Sequence, residues 1–189
     1  ESPVISAQTE SLVRCAGQDA TFTVASSTTS ALTYQWRRNG ENLVNGTGIA
    51  GATSATLTLT GVTALSAGTY DVVITTCTSL STTSDQVTLT VNDLPTIVVT
   101  PSTSTYCSPG GTAVALSASG ASTYSWSPSG GTAATASGLQ AGTYSVTITD
   151  NNACSKTITG IVVAQPAASL NGSISTTSVS CSGAATGSA

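Results

Sequence analysis

The sequence contains no histidine and no methionine, and only 6 % of its 189 residues are charged. An average soluble domain has about 25 % charged residues, so this surface is expected to be unusually uncharged. Histidine is the commonest general base and the commonest metal ligand, and its absence argues against catalysis and against a metal or other cofactor. Four basic residues against eight acidic ones argue against nucleic-acid binding. No apolar run approaches 18 residues, which excludes membrane insertion of this segment by a helix.

Hydroxyl side chains take the place of the missing charges. Serine and threonine number 66, and 18 glycines accompany them. Apolar residues alternate with threonine in many short stretches, which is typical of strands with one buried face. The first half has the inward sets Phe22/Val24, Leu32/Tyr34/Trp36, Leu57/Leu59, Tyr70/Val72/Ile74 and Val87/Leu89/Val91. The second half has Val114/Leu116, Tyr124/Trp126, Tyr144/Val146/Ile148 and Ile161/Val163. The sequence therefore predicts an all-β fold built of two-sheet sandwiches.

Four landmarks occur twice in the same order, Cys, Trp, Tyr and Cys. Tyr34-Gln35-Trp36 recurs as Tyr124-Ser125-Trp126, and Ala67-Gly68-Thr69-Tyr70 recurs as Ala141-Gly142-Thr143-Tyr144. The spacing from Trp to Tyr is 34 residues in the first copy and 18 in the second, which indicates that the second copy lacks a hairpin. Two related domains in tandem follow from this repetition.

Short junctions with proline mark the predicted domain limits. We expect one domain over residues 1–93, a shorter one over 94–166, and the beginning of a further, truncated repeat over 167–189. The junction Asn92-Asp93-Leu94-Pro95 restricts bending, so neighbouring domains are expected end to end. The last segment echoes the start of the second copy, which suggests a piece of a longer array.

The repeat symmetry selects one pairing among the cysteines. It predicts the disulfides Cys15–Cys77 and Cys107–Cys154, one in each domain, with Cys181 unpaired. A zinc site would need clustered thiols or histidine, whereas these thiols are dozens of residues apart. Persistent disulfides require an oxidising compartment and hence export.

Trp36 before an Ala-Gly-Thr-Tyr corner at Tyr70 resembles the immunoglobulin-like fold, and Trp126 with Tyr144 repeats the pattern. The resemblance implies a buried Trp and a tyrosine corner in each domain. The antibody pattern has its cysteines inside facing strands, where this sequence has Val24 and Val72. Cysteines at strand ends are similar to those in bacterial immunoglobulin-like domains of large Bacteroidota surface proteins.

Residues 105–165 resemble a SprB-type repeat. The resemblance rests on Tyr-Ser-Trp-Ser-Pro, on Gly-Leu-Gln-Ala-Gly-Thr-Tyr-Ser-Val-Thr-Ile-Thr-Asp, and on the following Cys154. Such repeats occur in giant adhesins of gliding bacteria that the type 9 secretion system exports. The resemblance implies an extracellular, cell-surface location. Its implied partners are neighbouring repeats of the same protein, and surface glycans or other cells are further candidates.

The remaining candidate sites have simpler structural interpretations. The eight carboxylates are dispersed along the chain, at Glu1, Glu10, Asp19, Glu41, Asp71, Asp85, Asp93 and Asp150. A glycosidase needs two carboxylates across a cleft. Asp19 and Asp71 are the two that could meet in space to form such a pair. Asp150-Asn151-Asn152 offers oxygen ligands for calcium but also favours a turn, which is our interpretation. Arg37-Arg38 could contact an anionic glycan, although Arg37 follows an inward Trp and is expected on the wet face.

The hypothesis that these observations favour is a non-enzymatic structural and adhesive stalk segment of a long exported surface protein, with a role in gliding motility as one setting. One alternative is a subunit of an extracellular filament that uses the C-terminal segment for strand addition. Another alternative is a carbohydrate-binding module of an exported enzyme.

Overall fold

The computed structural model describes residues 1–101 and 114–163. Within them the chain forms sixteen β-strands, and the helical part is one 3₁₀ turn, Ala64–Ser66. The predicted all-β class is therefore confirmed. Over the same residues, no helix is both long enough and apolar enough to cross a membrane.

The described chain divides into two compact units. The first comprises residues 1–96 together with the segments 120–122 and 148–156, and the second comprises the other described residues from Ile97 onward. The predicted domain limits and the end-to-end arrangement stay predictions. The predicted third segment, residues 167–189, lies outside the described residues.

Ten strands and the 3₁₀ turn make up residues 1–96. The strands are β1 (Ile5–Gln8), β2 (Leu12–Cys15), β3 (Ala20–Ser26), β4 (Leu32–Arg38), β5 (Glu41–Asn42), β6 (Ile49–Ala50), β7 (Thr56–Leu59), β8 (Gly68–Thr76), β9 (Ser81–Thr83) and β10 (Val87–Asn92). One sheet has the order β1-β3-β7-β6. The other has the order β2-β10-β8-β4-β5, and β9 pairs with β8 beside this path.

Period-two alternation places the core of the first sandwich. In β3 every second residue from Ala20 to Val24 is buried, and the threonines between them are exposed. The same rule buries alternate residues of β7 and β10. The core comprises Ala20, Phe22, Val24, Trp36, Leu43, Ala52, Leu57, Leu59, Val62, Tyr70, Val72, Ile74, Val87 and Leu89.

The N-terminal stretch crosses from one sheet to the other. β1 pairs antiparallel with β3, whereas β2 pairs parallel with β10. At the crossing, the Gln8 side-chain amide imitates a backbone bridge, since its Nε2 donates to the Asp85 carbonyl and its Oε1 accepts from the Asp85 N–H, both at 3.2 Å. Thr82 Oγ1 also donates to the Pro3 carbonyl at 2.6 Å. The first two strands thus form one edge of each sheet of the sandwich.

Six strands follow Thr96. They are β11 (Val98–Pro101), β12 (Val114–Ser119), β13 (Thr123–Ser127), β14 (Thr135–Leu139), β15 (Gly142–Thr149) and β16 (Ser155–Val163). Their sheets have the orders β11-β12-β14 and β13-β15-β16. The buried apolar residues are Leu116, Ala118, Trp126, Ala136, Leu139, Tyr144, Val146, Ile148, Cys154 and Val163. Between Trp126 and Tyr144 only β14 is present, so this sandwich has no counterpart of β5 and β6, which accounts for the shorter spacing.

Candidate functional site

Trp36 lies on β4 and is almost completely buried. Its indole Nε1 donates to the Ser54 carbonyl at 2.8 Å, and its backbone N–H donates to the Ala52 carbonyl at 2.8 Å. The ring lies 6.2 Å from that of Phe22, measured between centroids. A buried indole needs a partner for its single donor, and the segment before β7 supplies it. Trp36 therefore ties the two sheets together.

Trp126 on β13 repeats this arrangement. Its Nε1 donates to the Ala133 carbonyl at 2.9 Å, and its backbone N–H donates to the Gly131 carbonyl at 3.0 Å. In both sandwiches the indole and the backbone of one tryptophan hold the segment that leads to the next strand. The repeated sequence motif therefore corresponds to a repeated set of hydrogen bonds.

Each tyrosine of the two Gly-Thr-Tyr strings bonds to the chain four residues before it. Tyr70 Oη donates to the Ser66 carbonyl at 2.6 Å, and Tyr144 Oη donates to the Gln140 carbonyl at 2.9 Å. The rings of Tyr70 and Phe22 are stacked at 4.9 Å. Burial raises the pKa of the Tyr70 hydroxyl, and a hydrogen bond and charge from Arg38 oppose that rise. These bonds fix the corner that precedes β8 and β15, so both tyrosines act in folding.

Arg37 and Asp71 form an ion pair that the sequence analysis missed. They are opposite residues of β4 and β8, and Arg37 donates from Nε to Oδ1 at 2.6 Å and from Nη2 to Oδ2 at 2.9 Å. Asp71 is 4 % exposed, so it is a buried carboxylate and not one of the solvated turn or strand-face charges that dispersed carboxylates usually are. The hydrogen bond to Asp71 raises the pKa of the Arg37 guanidinium. Aligning Trp36 with Val72 would have placed these two residues opposite each other.

The disulfide differs from both predicted pairs. The structure joins Cys15 to Cys154, with Cα atoms 5.6 Å apart, and leaves Cys77 as an exposed free thiol. The predicted bonds Cys15–Cys77 and Cys107–Cys154 are therefore wrong, because Cys15 and Cys154 are bonded to each other. Cys107 and Cys181, the latter predicted to be unpaired, lie outside the described residues.

Strand register explains why Cys15 cannot reach Cys77. Along β10, Cys15 is level with Asn92, and Tyr70 is level with Val87. From Tyr70 the chain runs seven further residues away from Cys15 before it reaches Cys77. About twelve strand positions, or roughly 40 Å, therefore separate the two cysteines along the sheet. A disulfide requires Cα atoms within about 7 Å.

A turn holds Cys154 in place. Asp150 Oδ1 accepts hydrogen bonds from the backbone N–H groups of Asn152 at 2.8 Å and Cys154 at 2.9 Å. This is the usual way in which aspartate stabilises a turn. The carboxylate is engaged with its own chain, as the turn interpretation of Asp150-Asn151-Asn152 expects. In the part of the chain that the structure describes, no group of three or more His, Cys, Asp or Glu residues could hold a metal ion.

An open depression beside Cys15 is lined by Arg14, Gly17, Gln18 and Asp19. Arg14 Nε donates to the Asp19 carbonyl at 2.9 Å, and Gln18 Oε1 accepts from the Cys15 N–H at 2.8 Å. Asp19 Oδ1 accepts from the Gly61 N–H at 2.9 Å. These polar groups are used to hold the 15–19 turn.

Comparison with known proteins places this geometry in the immunoglobulin fold. The family model described as "Immunoglobulin domain" matches residues 2–76. No curated protein matches the sequence. The SprB resemblance of residues 105–165 stays a prediction.

Three solved structures resemble the chain over most of its length. The N-terminal eight Ig domains of Down Syndrome Cell Adhesion Molecule cover 86 % of it at 17 % identity, with a TM-score of 0.61, and it covers 27 % of them. The insect immune protein hemolin covers 85 % of the chain at 15 % sequence identity, with a TM-score of 0.52. An I-band fragment of titin covers 85 % of the chain at 17 % sequence identity, with a TM-score of 0.51. The chain spans 46 % of hemolin and 65 % of the titin fragment. At these identities the likeness shows the fold alone, tandem immunoglobulin-like domains.

Proposed function

We propose that this chain is a structural and adhesive segment of a long protein exported to the surface of a bacterial cell. The observation that carries the proposal is a surface on which hydroxyls pair across strands in place of charges. The side-chain oxygens are 2.8 Å apart in Thr9–Thr23, 2.7 Å in Thr147–Thr157, 2.7 Å in Thr149–Ser155 and 3.2 Å in Ser117–Thr135.

Such a surface suits a spacer that must not bind indiscriminately. Each hydroxyl pair satisfies one O–H donor and one acceptor site, and hydroxyls carry no net charge whose long-range field would attract charged molecules. Cross-strand threonine pairs also stabilise the sheet that carries them. Arg37 and Asp71, the ion pair of the first sandwich, are joined to each other and are not directed at a partner. The surface is therefore weakly interacting and little affected by salt.

The fold supports the same role. Immunoglobulin-like domains in tandem also build Down Syndrome Cell Adhesion Molecule, and the hemolin structure was described with implications for homophilic adhesion. A disulfide persists in an oxidising compartment, which fits export. The resemblance of residues 105–165 to SprB-type repeats supports the finer assignment, a gliding-associated adhesin exported by the type 9 secretion system. Under this assignment, the proposed partners are neighbouring repeats of the same protein, surface glycans and other cells.

A non-enzymatic role belongs to the proposal. Nucleophilic catalysis by serine needs a base that a third group orients, and the sequence has no histidine and one lysine. Asp71 is paired with Arg37, and Asp19 Oδ1 accepts the Gly61 N–H, so each of these two carboxylates has a partner within the fold.

Labelling of intact cells tests the location and the role together. Fab fragments raised against the 189-residue chain are added to living cells of the source organism, and permeabilised cells serve as the control. We expect labelling of intact cells and reduced attachment of Fab-treated cells to surfaces or to each other. Labelling that appears only after permeabilisation would overturn the proposal, and unchanged attachment of labelled cells would remove its adhesive part.

A further inference from the structure

The disulfide divides the chain into residues that can carry a pulling force and residues that cannot. Cys15 and Cys154 are 139 positions apart in sequence, and both belong to the first compact unit. A force applied at the two chain ends passes from Cys15 to Cys154 through two sulfur atoms. Residues 16–153 then form a closed covalent loop outside the path of the force. We propose that this bond is a load bypass that keeps the sandwich cores unstretched when the chain is pulled.

The loop contains the residues that hold the sandwiches together. Trp36, Tyr70, Trp126 and Tyr144 all lie between the two cysteines. The hydrogen-bond acceptors of their side chains, from Ser54 to Gln140, lie there too. A pull on the chain ends therefore cannot draw any of these residues away from its acceptor by extending the backbone between them.

The described residues that remain in the force path, 1–15 and 154–163, lie mostly in strands before any force acts. β1 and β2 precede Cys15, and the nine-residue β16 begins directly after Cys154. A strand rises about 3.3 Å per residue, and a fully stretched chain reaches at most about 3.6 Å. These strands therefore gain little length under load, and β2 is anchored by its parallel pairing with β10.

Both cysteines of the disulfide are held in position by hydrogen bonds of their own local turns. Gln18 Oε1 accepts from the Cys15 N–H, and Asp150 Oδ1 accepts from the Cys154 N–H, so a local turn fixes each cysteine. Cys154 is fully buried, which shields its sulfur atom from attack by external thiols. Cys77, in contrast, is exposed and free. The load bypass rests on the proposed role, because a segment of a surface protein is pulled when the cell that carries it attaches to something else.

Single-molecule stretching tests the bypass. The 189-residue chain carries handles at Glu1 and Ala189 in a background of C77S, C107S and C181S, which leaves one cysteine pair. It is compared with the same chain that also carries C15S and C154S. At high force, the chain with the cysteine pair should be shorter by roughly 460–500 Å, the length of the 139-position loop. Fully stretched length is independent of folding, so the comparison holds even for a serine variant that does not fold.

A second readout concerns the unfolding steps. With the bond intact, only residues 1–15 and 154–189 can extend, at most about 180 Å of chain. Equal stretched lengths, or release of more chain than this in the bonded form, would overturn the bypass. Fab fragments that fail to label intact cells would overturn the proposed role but leave the length difference, so the two failures are distinguishable.

Discussion

The two sandwiches share one pair of anchoring residues and differ in what surrounds it. Trp36 with Tyr70 and Trp126 with Tyr144 make the same kinds of hydrogen bond to nearby carbonyls. The first sandwich adds the ring of Phe22, which contacts both of its anchors, and the Arg37–Asp71 ion pair. The second has serine at the corresponding positions, directly after its Trp and its Tyr, and no phenylalanine.

This difference separates what the fold requires from what it tolerates. In its described residues the smaller sandwich has no counterpart of β5, β6, the Phe22–Tyr70 stack or the Arg37–Asp71 ion pair, and it still forms two sheets around its Trp and Tyr. The hydrogen-bonded Trp and Tyr are therefore the common minimum. The stack and the ion pair are additions, and their removal should cost the first sandwich less than the loss of an anchor.

The largest effect is expected for Trp36→Ala. Truncating a buried tryptophan costs about 3–5 kcal/mol of unfolding free energy, and the ring contact with Phe22 places Trp36 at the upper end. Trp126→Ala should cost the second sandwich about 3 kcal/mol. Hydrogen exchange measured on peptides of each sandwich follows both variants, while the remaining tryptophan reports the other sandwich by fluorescence. A loss below about 1 kcal/mol in either case would contradict the common minimum.

Gly130→Ala should come next, with Gly131→Ala as its matched control. Both glycines have positive φ, +124° and +75°, where a side chain is strained. A Cβ at Gly130 would lie 2.9 Å from the Cβ of Trp126 and 2.7 Å from that of Ala136, whereas a Cβ at Gly131 meets nothing within 4 Å. We expect a loss of about 2–3 kcal/mol for Gly130→Ala and about 1 kcal/mol for Gly131→Ala. Equal losses in denaturant titration would show that Trp126 does not depend on close approach at Gly130.

Asp71→Ala tests the ion pair, which is an addition of the first sandwich. The Arg37 side chain is 28 % exposed, so water takes over part of the lost interaction, and a cost of about 1–2 kcal/mol is expected. A double-mutant cycle with Arg37→Ala isolates the pair energy. Ser145→Ala, at the corresponding position of the second sandwich, should stay within about 0.5 kcal/mol. A coupling energy near zero would mean that the pair is incidental.

The smallest effect is expected for Tyr70→Phe, at about 1 kcal/mol, because one hydrogen bond to the Ser66 carbonyl is lost. The raised pKa of Tyr70 means that the folded state holds the phenolic proton more tightly than the unfolded state. Its contribution is therefore fully present below the ordinary tyrosine pKa of 10.0 and is lost as pH rises above it. Unfolding free energies measured from pH 7 upward should fall above that value in the parent chain and fall less in Tyr70→Phe. Identical pH profiles would contradict this assignment.

Much of the fold follows from local pattern in the sequence. Threonine alternating with Phe22 and Val24, or with Tyr144 and Val146, predicts a strand with one buried face, because side chains alternate across a strand. The doubled order of Trp and Tyr predicts two sandwiches of one kind, since the same local geometry needs the same residues. These inferences depend on neighbours close in sequence, and the all-β tandem fold confirms them.

The partners of distant residues were decided by the tertiary structure. Repeat symmetry pairs Cys15 with Cys77, but symmetry does not say at which end of a sheet a strand terminates. The parallel pairing of β2 with β10 carries Cys15 to the end opposite Cys77, and Cys154 is the cysteine that lies within bonding distance there. Arg37 and Asp71 meet for the same kind of reason, because a shift of one residue in the register of β4 against β8 would separate them. Composition and periodicity determine which face of a strand is buried, whereas register and strand direction determine which residues from distant parts of the chain come into contact.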